Sequence, residues 1–85
     1  MKNCLDLHGL TVQNAYDKTN NFIYNHHVSG SKKIFVITGR SGIIRKEFDT
    51  WMNNNVYVRK FLIDNAGGKF SIWLKKPKTK EKNVN

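Results

Sequence analysis

The spacing of apolar residues changes repeatedly along this chain, and each change marks an element. Leu5 and Leu7 alternate with Asp6 and His8, which predicts a strand with both polar residues on one face. Gly9 ends it. Aspartate is disfavoured in strands, so Asp6 asks for a reason beyond structure. Val12, Ala15, Tyr16, Thr19, Phe22 and Ile23 then recur at helical spacing. They predict an amphipathic helix of about 15 residues, with Thr11 as N-cap and an end near His26 or His27. Ser29-Gly30-Ser31 breaks the pattern. Ile34-Phe35-Val36-Ile37 is apolar without alternation, which predicts an interior strand covered on both faces. Ile44, Phe48, Trp51 and Met52 restore helical spacing until Asn53-Asn54-Asn55.

From Val56 to Asp64 the period is that of a strand. Simple alternation places Tyr57, Arg59, Phe61 and Ile63 on one face, and Val56, Val58, Lys60 and Leu62 on the other. Asn65-Ala66-Gly67-Gly68 is a turn, and Phe70, Ile72 and Leu74 alternate after it. Trp73 falls on the opposite face from those three; buried it packs, and exposed it offers a ring for a base to stack on. The order β-α-β-α-β-β predicts a two-layer α/β sandwich of a mixed four-stranded sheet and two helices. Residues 1–77 form the expected domain. Residues 78–85 are a basic tail with too few large apolar residues to fold, and are expected to be disordered.

Charge narrows the partner. Fifteen Lys and Arg against six Asp and Glu leave a formal net charge of +9, with a pI near 10. Such a balance points to a polyanion, either nucleic acid or an anionic membrane surface. No apolar run approaches the ~20 residues of a membrane span, and Asp6 and His8 interrupt any leader-like start. The expectation is therefore a cytoplasmic, monomeric domain that meets nucleic acid and not a membrane. The single cysteine, Cys4, excludes an internal disulfide and reads as a small near-core side chain.

The candidate chemistry lies where apolar strand passes into helix, at Thr38-Gly39-Arg40-Ser41-Gly42. A strand, a glycine turn and a helix start leave backbone N–H groups free beside the positive end of a helix dipole. Such a place binds phosphate. Arg40 and Arg45 add fixed charge and forked donors. In open α/β sheets ligands lie beyond the carboxyl ends of parallel strands. Asp6 and His8 occupy that end of the first strand, and Thr38 to Gly42 that end of the second. As parallel neighbours these strands would lie about 4.8 Å apart. An imidazole able to move protons near neutral pH, a carboxylate and an anion cradle then share one rim.

Leu5-Asp6-Leu7-His8-Gly9, Thr38-Gly39-Arg40-Ser41-Gly42 and Ala66-Gly67-Gly68-Lys69-Phe70 together give the chain a family likeness. It resembles the Smr (small MutS-related) domain. That family carries an LDLHG-type first motif, an HGxG- or TGxG-type second motif and a GG turn before its last strand. The likeness spans roughly residues 4–75. Its first motif matches fully. In the second, Arg40-Ser41 fill the variable space, so Gly39 and Gly42 are both candidates to meet the ligand. The resemblance implies a fold like the C-terminal domain of bacterial translation initiation factor three. It also implies nucleic-acid binding, often with nicking or endonuclease activity on DNA or RNA.

On this reading the glycine loop, with Arg40 and Arg45, holds a phosphodiester. His8 is general acid or base, and Asp6 orients His8 or binds a divalent cation, Mg or Mn. With RNA the neighbouring 2′-OH can attack without a metal; with DNA the nucleophile is water. Two alternatives stay open. One is a noncatalytic DNA- or RNA-binding module; Gly39-Arg40-Ser41-Gly42 satisfies the GXXG pattern of KH domains, although that loop joins two helices and this one follows a strand. The other is a ribosome- or protein-interaction domain.

Overall fold

The computed structural model describes residues 2–77; the basic tail expected at 78–85 lies outside the described residues. The chain forms β1 (Cys4–Asp6), α1 (Val12–Val28), β2 (Lys33–Ile37), α2 (Ile43–Asn54), β3 (Val58–Ile63) and β4 (Lys69–Leu74). These build one four-stranded sheet in the order β1-β2-β4-β3. β1 pairs parallel with β2, bringing Leu5 beside Val36 and Asp6 beside Ile37. β4 pairs antiparallel with β2 on one side and β3 on the other. The architecture is the mixed-sheet, two-helix α/β fold expected from the hydrophobic pattern. Among the described residues no helix is long and apolar enough to cross a membrane.

Both helices cover the same face of the sheet. Ala15 and Ile23 from α1, Phe48 and Met52 from α2, and Ile34, Val36, Phe70 and Ile72 from the sheet form one buried cluster. The Phe48 and Phe70 rings meet at 4.6 Å. Tyr16 and Trp51 join the two helices edge to face at 5.2 Å. Burial of an aliphatic or aromatic side chain is worth about 1.5–3 kcal/mol. This one layer of contacts therefore supplies most of the driving force.

The other face of the sheet has no helix, and this corrects the expectation for Ile34–Ile37. Ile34 and Val36 are fully buried, whereas Phe35 and Ile37 are only half-buried. β2 is interior because it is hydrogen-bonded along both edges, not because both its faces are covered. Apolar side chains appear on the uncovered face too, which removes the alternation that one-sided burial normally writes into a strand.

Three other local expectations change. β1 stops at Asp6, so His8 belongs to the following turn and not to the strand face it was expected to share with Asp6. In β3 a bulge sets Arg59 and Lys60 against Trp73. An extra residue reverses the alternation, so Val58 and Phe61 both pack toward the core, where simple alternation separates them. Cys4 is exposed on the edge strand and is not a near-core side chain.

α1 runs to Val28, past its expected end. His26, in its last turn, is buried. Its ring lies 2.6 Å from Ser31 Oγ through Nδ1 and 2.6 Å from the Lys2 carbonyl through Nε2. The carbonyl can only accept, so Nε2–H donates to it. The last turn of α1 is thereby tied to the chain entering β1.

Candidate nucleic-acid interface

Local chemistry makes the turn after β1. The Leu7 amide donates to the Ile37 carbonyl at 2.9 Å and extends the β1–β2 pairing one residue past the strand. Leu7 itself is buried. The Leu10 amide then donates to the Leu7 carbonyl, so His8 and Gly9 turn outward as exposed residues. Asp6 Oδ1 accepts the backbone N–H of His8 at 2.8 Å. The carboxylate thus holds the turn that carries the histidine. Thr11 caps α1, its Oγ1 accepting the Asn14 amide at 3.1 Å.

A second turn, from Thr38 to Gly42, faces the first. Gly39 and Gly42 have φ of +83° and +97°, the left-handed region that side chains with a Cβ rarely adopt. Gly42 is the N-cap of α2 and has no side chain to satisfy the first amides of the helix. Thr38 is buried, and its amide and that of Gly39 both donate to the Gly68 carbonyl, at 2.9 and 3.1 Å. The β3–β4 turn is therefore the brace beneath the loop. A Cβ on Gly68 would lie 3.1 Å from Arg40 Cγ and 3.3 Å from the Gly39 carbonyl carbon. From spacing alone the Gly67-Gly68 pair is a turn signal, and its structural use is this close approach.

Between the two turns lies an open cleft of about 440 Å³, lined by His8, Gly9, Thr11 and Thr38 to Ile44. The structure thus brings His8, Thr38, Gly39, Arg40, Ser41 and Gly42 to one place. Asp6 and Arg45 are not part of that lining. Arg45 turns the other way: its Nε donates to the Gly67 carbonyl at 3.2 Å, and its guanidinium sits 5.1 Å from the Phe70 ring centre and 3.6 Å from Asp49. Arg45 steadies the turn that braces the loop. Arg40, on the loop, is exposed.

One element of the cleft is hard to see in the sequence. The start of α1 lines it together with the start of α2. Neither helix has an acidic residue in its first turn to offset the dipole. Two positive helix ends, each about half an elementary charge, therefore face one cavity beside Arg40. The Thr11 cap immediately after the His8 turn was the available signal.

A divalent cation at this rim would need the substrate's phosphates to complete its ligands. Among the described residues no three His, Cys, Asp or Glu side chains come together. The one carboxylate of the rim is already turned to the His8 amide.

Fold and site define a class: a small α/β domain with a glycine-loop cleft at the carboxyl ends of two parallel strands. The chain belongs to the Smr domain family, which its sequence matches over residues 5–69. Smr domains are nucleic-acid-binding, nuclease-related domains. Two solved structures share the fold. The Smr domain of Thermus thermophilus MutS2 superposes with a TM-score of 0.78 at 21% identity, covering 88% of this chain and 99% of that one. YdaL, a stand-alone small MutS-related protein from Escherichia coli, gives a TM-score of 0.80 at 18% identity, covering 87% of this chain and 65% of YdaL. No curated protein sequence matches significantly.

Proposed function

We propose that this chain binds nucleic acid at the cleft between the two helix starts and cleaves one strand there as an endonuclease. The observation that carries the reading is the shared cleft, where an exposed imidazole faces a glycine loop and the starts of two helices, of which α2 has no side-chain cap. The Thr38 and Gly39 amides are engaged by Gly68, so the amides from Arg40 to the start of α2, with the Arg40 side chain, take the phosphate oxygens. This cradle stabilises charge that grows on the phosphate as the reaction proceeds. His8 moves the proton. Asp6 positions His8 through its backbone and does not hold the ring.

One proton-transferring group suits RNA best. The neighbouring 2′-OH attacks phosphorus, and the bond to the 5′-oxygen breaks. The 2′-OH proton goes to His8 and the leaving 5′-oxygen takes a proton from water. The products are a 2′,3′-cyclic phosphate and a 5′-hydroxyl. DNA has no such nucleophile and needs an attacking water.

The test is cleavage of single-stranded RNA, hairpin RNA and supercoiled plasmid, each with magnesium, manganese or chelator. His8→Ala is run beside the parent, and binding is followed by mobility shift. Cleavage lost in His8→Ala with binding kept supports the proposal. Equal cleavage by both proteins removes His8 from the chemistry. Binding without cleavage under any condition favours the second reading, a noncatalytic nucleic-acid-binding module. One observation already favours it: the rim offers a single exposed proton-transfer group where many nucleases use two.

A further inference from the structure

The uncovered face of the sheet carries a continuous ladder of alternating rings and ammonium groups. Lys60 Nζ lies 4.6 Å from the Trp73 ring centre, and Lys33 Nζ lies 4.8 Å from the same ring. Lys33 also reaches to 5.2 Å from the Phe35 ring, which Lys69 approaches at 4.8 Å. The ladder Lys60-Trp73-Lys33-Phe35-Lys69 thus crosses three strands. Strand register makes this a property of the fold. Lys33 pairs with Trp73, Phe35 with Ser71 and Lys60 with Trp73, so all project to the side away from the helices. The β3 bulge is what turns Lys60 to that side.

The charge on this face is unbalanced. Among the described residues the one ion pair is Arg45–Asp49, within α2 on the helix-covered side of the sheet. Asp6 is the acidic side chain that the register places on this face, and it lies on the edge strand β1. Next to Trp73 a groove of about 470 Å³ opens, with Arg59 and Lys76 in its wall. Folding therefore collects like charges on an apolar surface, where only the rings offset their repulsion. A polyanion with flat bases would satisfy both halves of the pattern.

We infer that this sheet face is a second binding surface, a stacking platform for single-stranded nucleic acid. Bases stack on Trp73 and Phe35, and the lysines move from the rings to the phosphates. A lysine over a partly exposed ring is held more weakly than a stacked base, so the exchange runs toward the bound strand. Phe35 and Trp73 are diagonal neighbours on adjacent strands, about 7–8 Å apart, suited to two successive bases. Lys69 pairs with Ile37, next to Thr38 and Gly68, so the platform ends at the cleft. A strand lying on the face is led onto the His8 rim. Double-stranded nucleic acid hides its base faces and gains nothing from the rings. The inference rests on the reading of the chain as a nucleic-acid-binding domain and not on cleavage.

The test uses fluorescence anisotropy with labelled oligouridylate, oligodeoxythymidylate and a duplex. Trp73→Ala combined with Phe35→Ala should weaken single-strand binding by about tenfold or more, with duplex binding unchanged. Trp73→Phe, which keeps a ring, should stay within about threefold. Lys33→Gln with Lys60→Gln changes only exposed side chains, so the fold is kept. It should lower the salt dependence by about 1.4 units of log–log slope, two phosphate contacts at about 0.7 each on a single strand. In a Trp51→Phe background, oligonucleotide should quench Trp73 fluorescence. Arg40→Ala reports the cleft separately. Ring and lysine variants that bind like the parent, while Arg40→Ala loses binding, overturn the platform and leave the cleft reading standing. A parent that binds no nucleic acid at all overturns both. A dimer in sedimentation that Trp73→Ala dissolves gives the face to a second copy of the chain and overturns the proposal.

Discussion

The Asp6 carboxylate accepts the backbone N–H of His8 at 2.8 Å, and no hydrogen bond to the His8 ring accompanies it among the described residues. The pair is a carboxylate-held turn, unlike the acid–imidazole couple of a triad. Asparagine offers the same oxygen. Asp6→Asn should therefore cleave RNA within about threefold of the parent, while Asp6→Ala, which frees the turn, should lose about tenfold. Equal, large losses in both variants would show that the negative charge itself is needed. Single-turnover rates at saturating RNA make the comparison.

Arg40 and Arg45 sit five residues apart and should behave as different kinds of residue. Arg40 is exposed on the loop, so Arg40→Ala should leave stability within about 0.5 kcal/mol and flatten the salt dependence of binding by about one unit of slope. Arg45 holds the Gly67 carbonyl and covers the Phe70 ring. Arg45→Ala should cost about 1–2 kcal/mol of stability. In a domain this small, each kcal/mol lowers Tm by about 4–8 °C. Thermal unfolding beside a salt titration separates the two.

Three glycines should fail for two different reasons. Around Gly39 and Gly42 a Cβ would have open space, but both have left-handed φ. Gly39→Ala and Gly42→Ala should each cost about 1–2 kcal/mol through backbone strain. Gly68 is crowded by the loop above it, and Gly68→Ala must push the Gly39 carbonyl and Arg40 aside. Its cost should be about 1 kcal/mol, and its larger effect should be on phosphate binding. Urea midpoints and oligonucleotide affinity, measured on all three, should rank them in opposite orders.

Thr19 is fully buried in α1, and its Oγ1 has no hydrogen-bond partner among the described residues. Valine has nearly the same shape and no polar atom to bury. Thr19→Val should raise stability by about 1 kcal/mol without altering binding. A fall in Tm would mean that the hydroxyl is satisfied in solution.

Much of this molecule is legible in its sequence, for reasons that differ between regions. The Phe48–Met52 helix face and the Phe70–Leu74 alternation each follow one period and one burial side, so their burial is read directly from spacing. Ile34–Ile37 misleads because Phe35 is kept for a face with no helix over it. Val58 to Phe61 misleads because a bulge leaves no mark on alternation except a phase slip. At the rim, His8 and the Thr38–Gly42 loop are placed together by parallel pairing, which the strand order implies. The turning away of Arg45 is not legible. It depends on Gly67 and Phe70, whose nearness to α2 is set by the β2–β4 pairing. The same applies to the cation–ring ladder, in which each lysine is unremarkable until strand register places it over a ring.

The common direction of the two helix starts also bears on how the molecule meets its ligand. α1 and α2 are about 25 and 18 Å long at 1.5 Å per residue. Both begin at the cleft, and the Asn55 side chain at the end of α2 reaches Asn20 midway along α1, so the helices run alongside one another. Their dipoles add along one axis, which no change of pH can abolish because backbone amides do not titrate. On the proposed reading, the share of phosphate attraction that the two helix starts supply is therefore weakened by salt and untouched by pH.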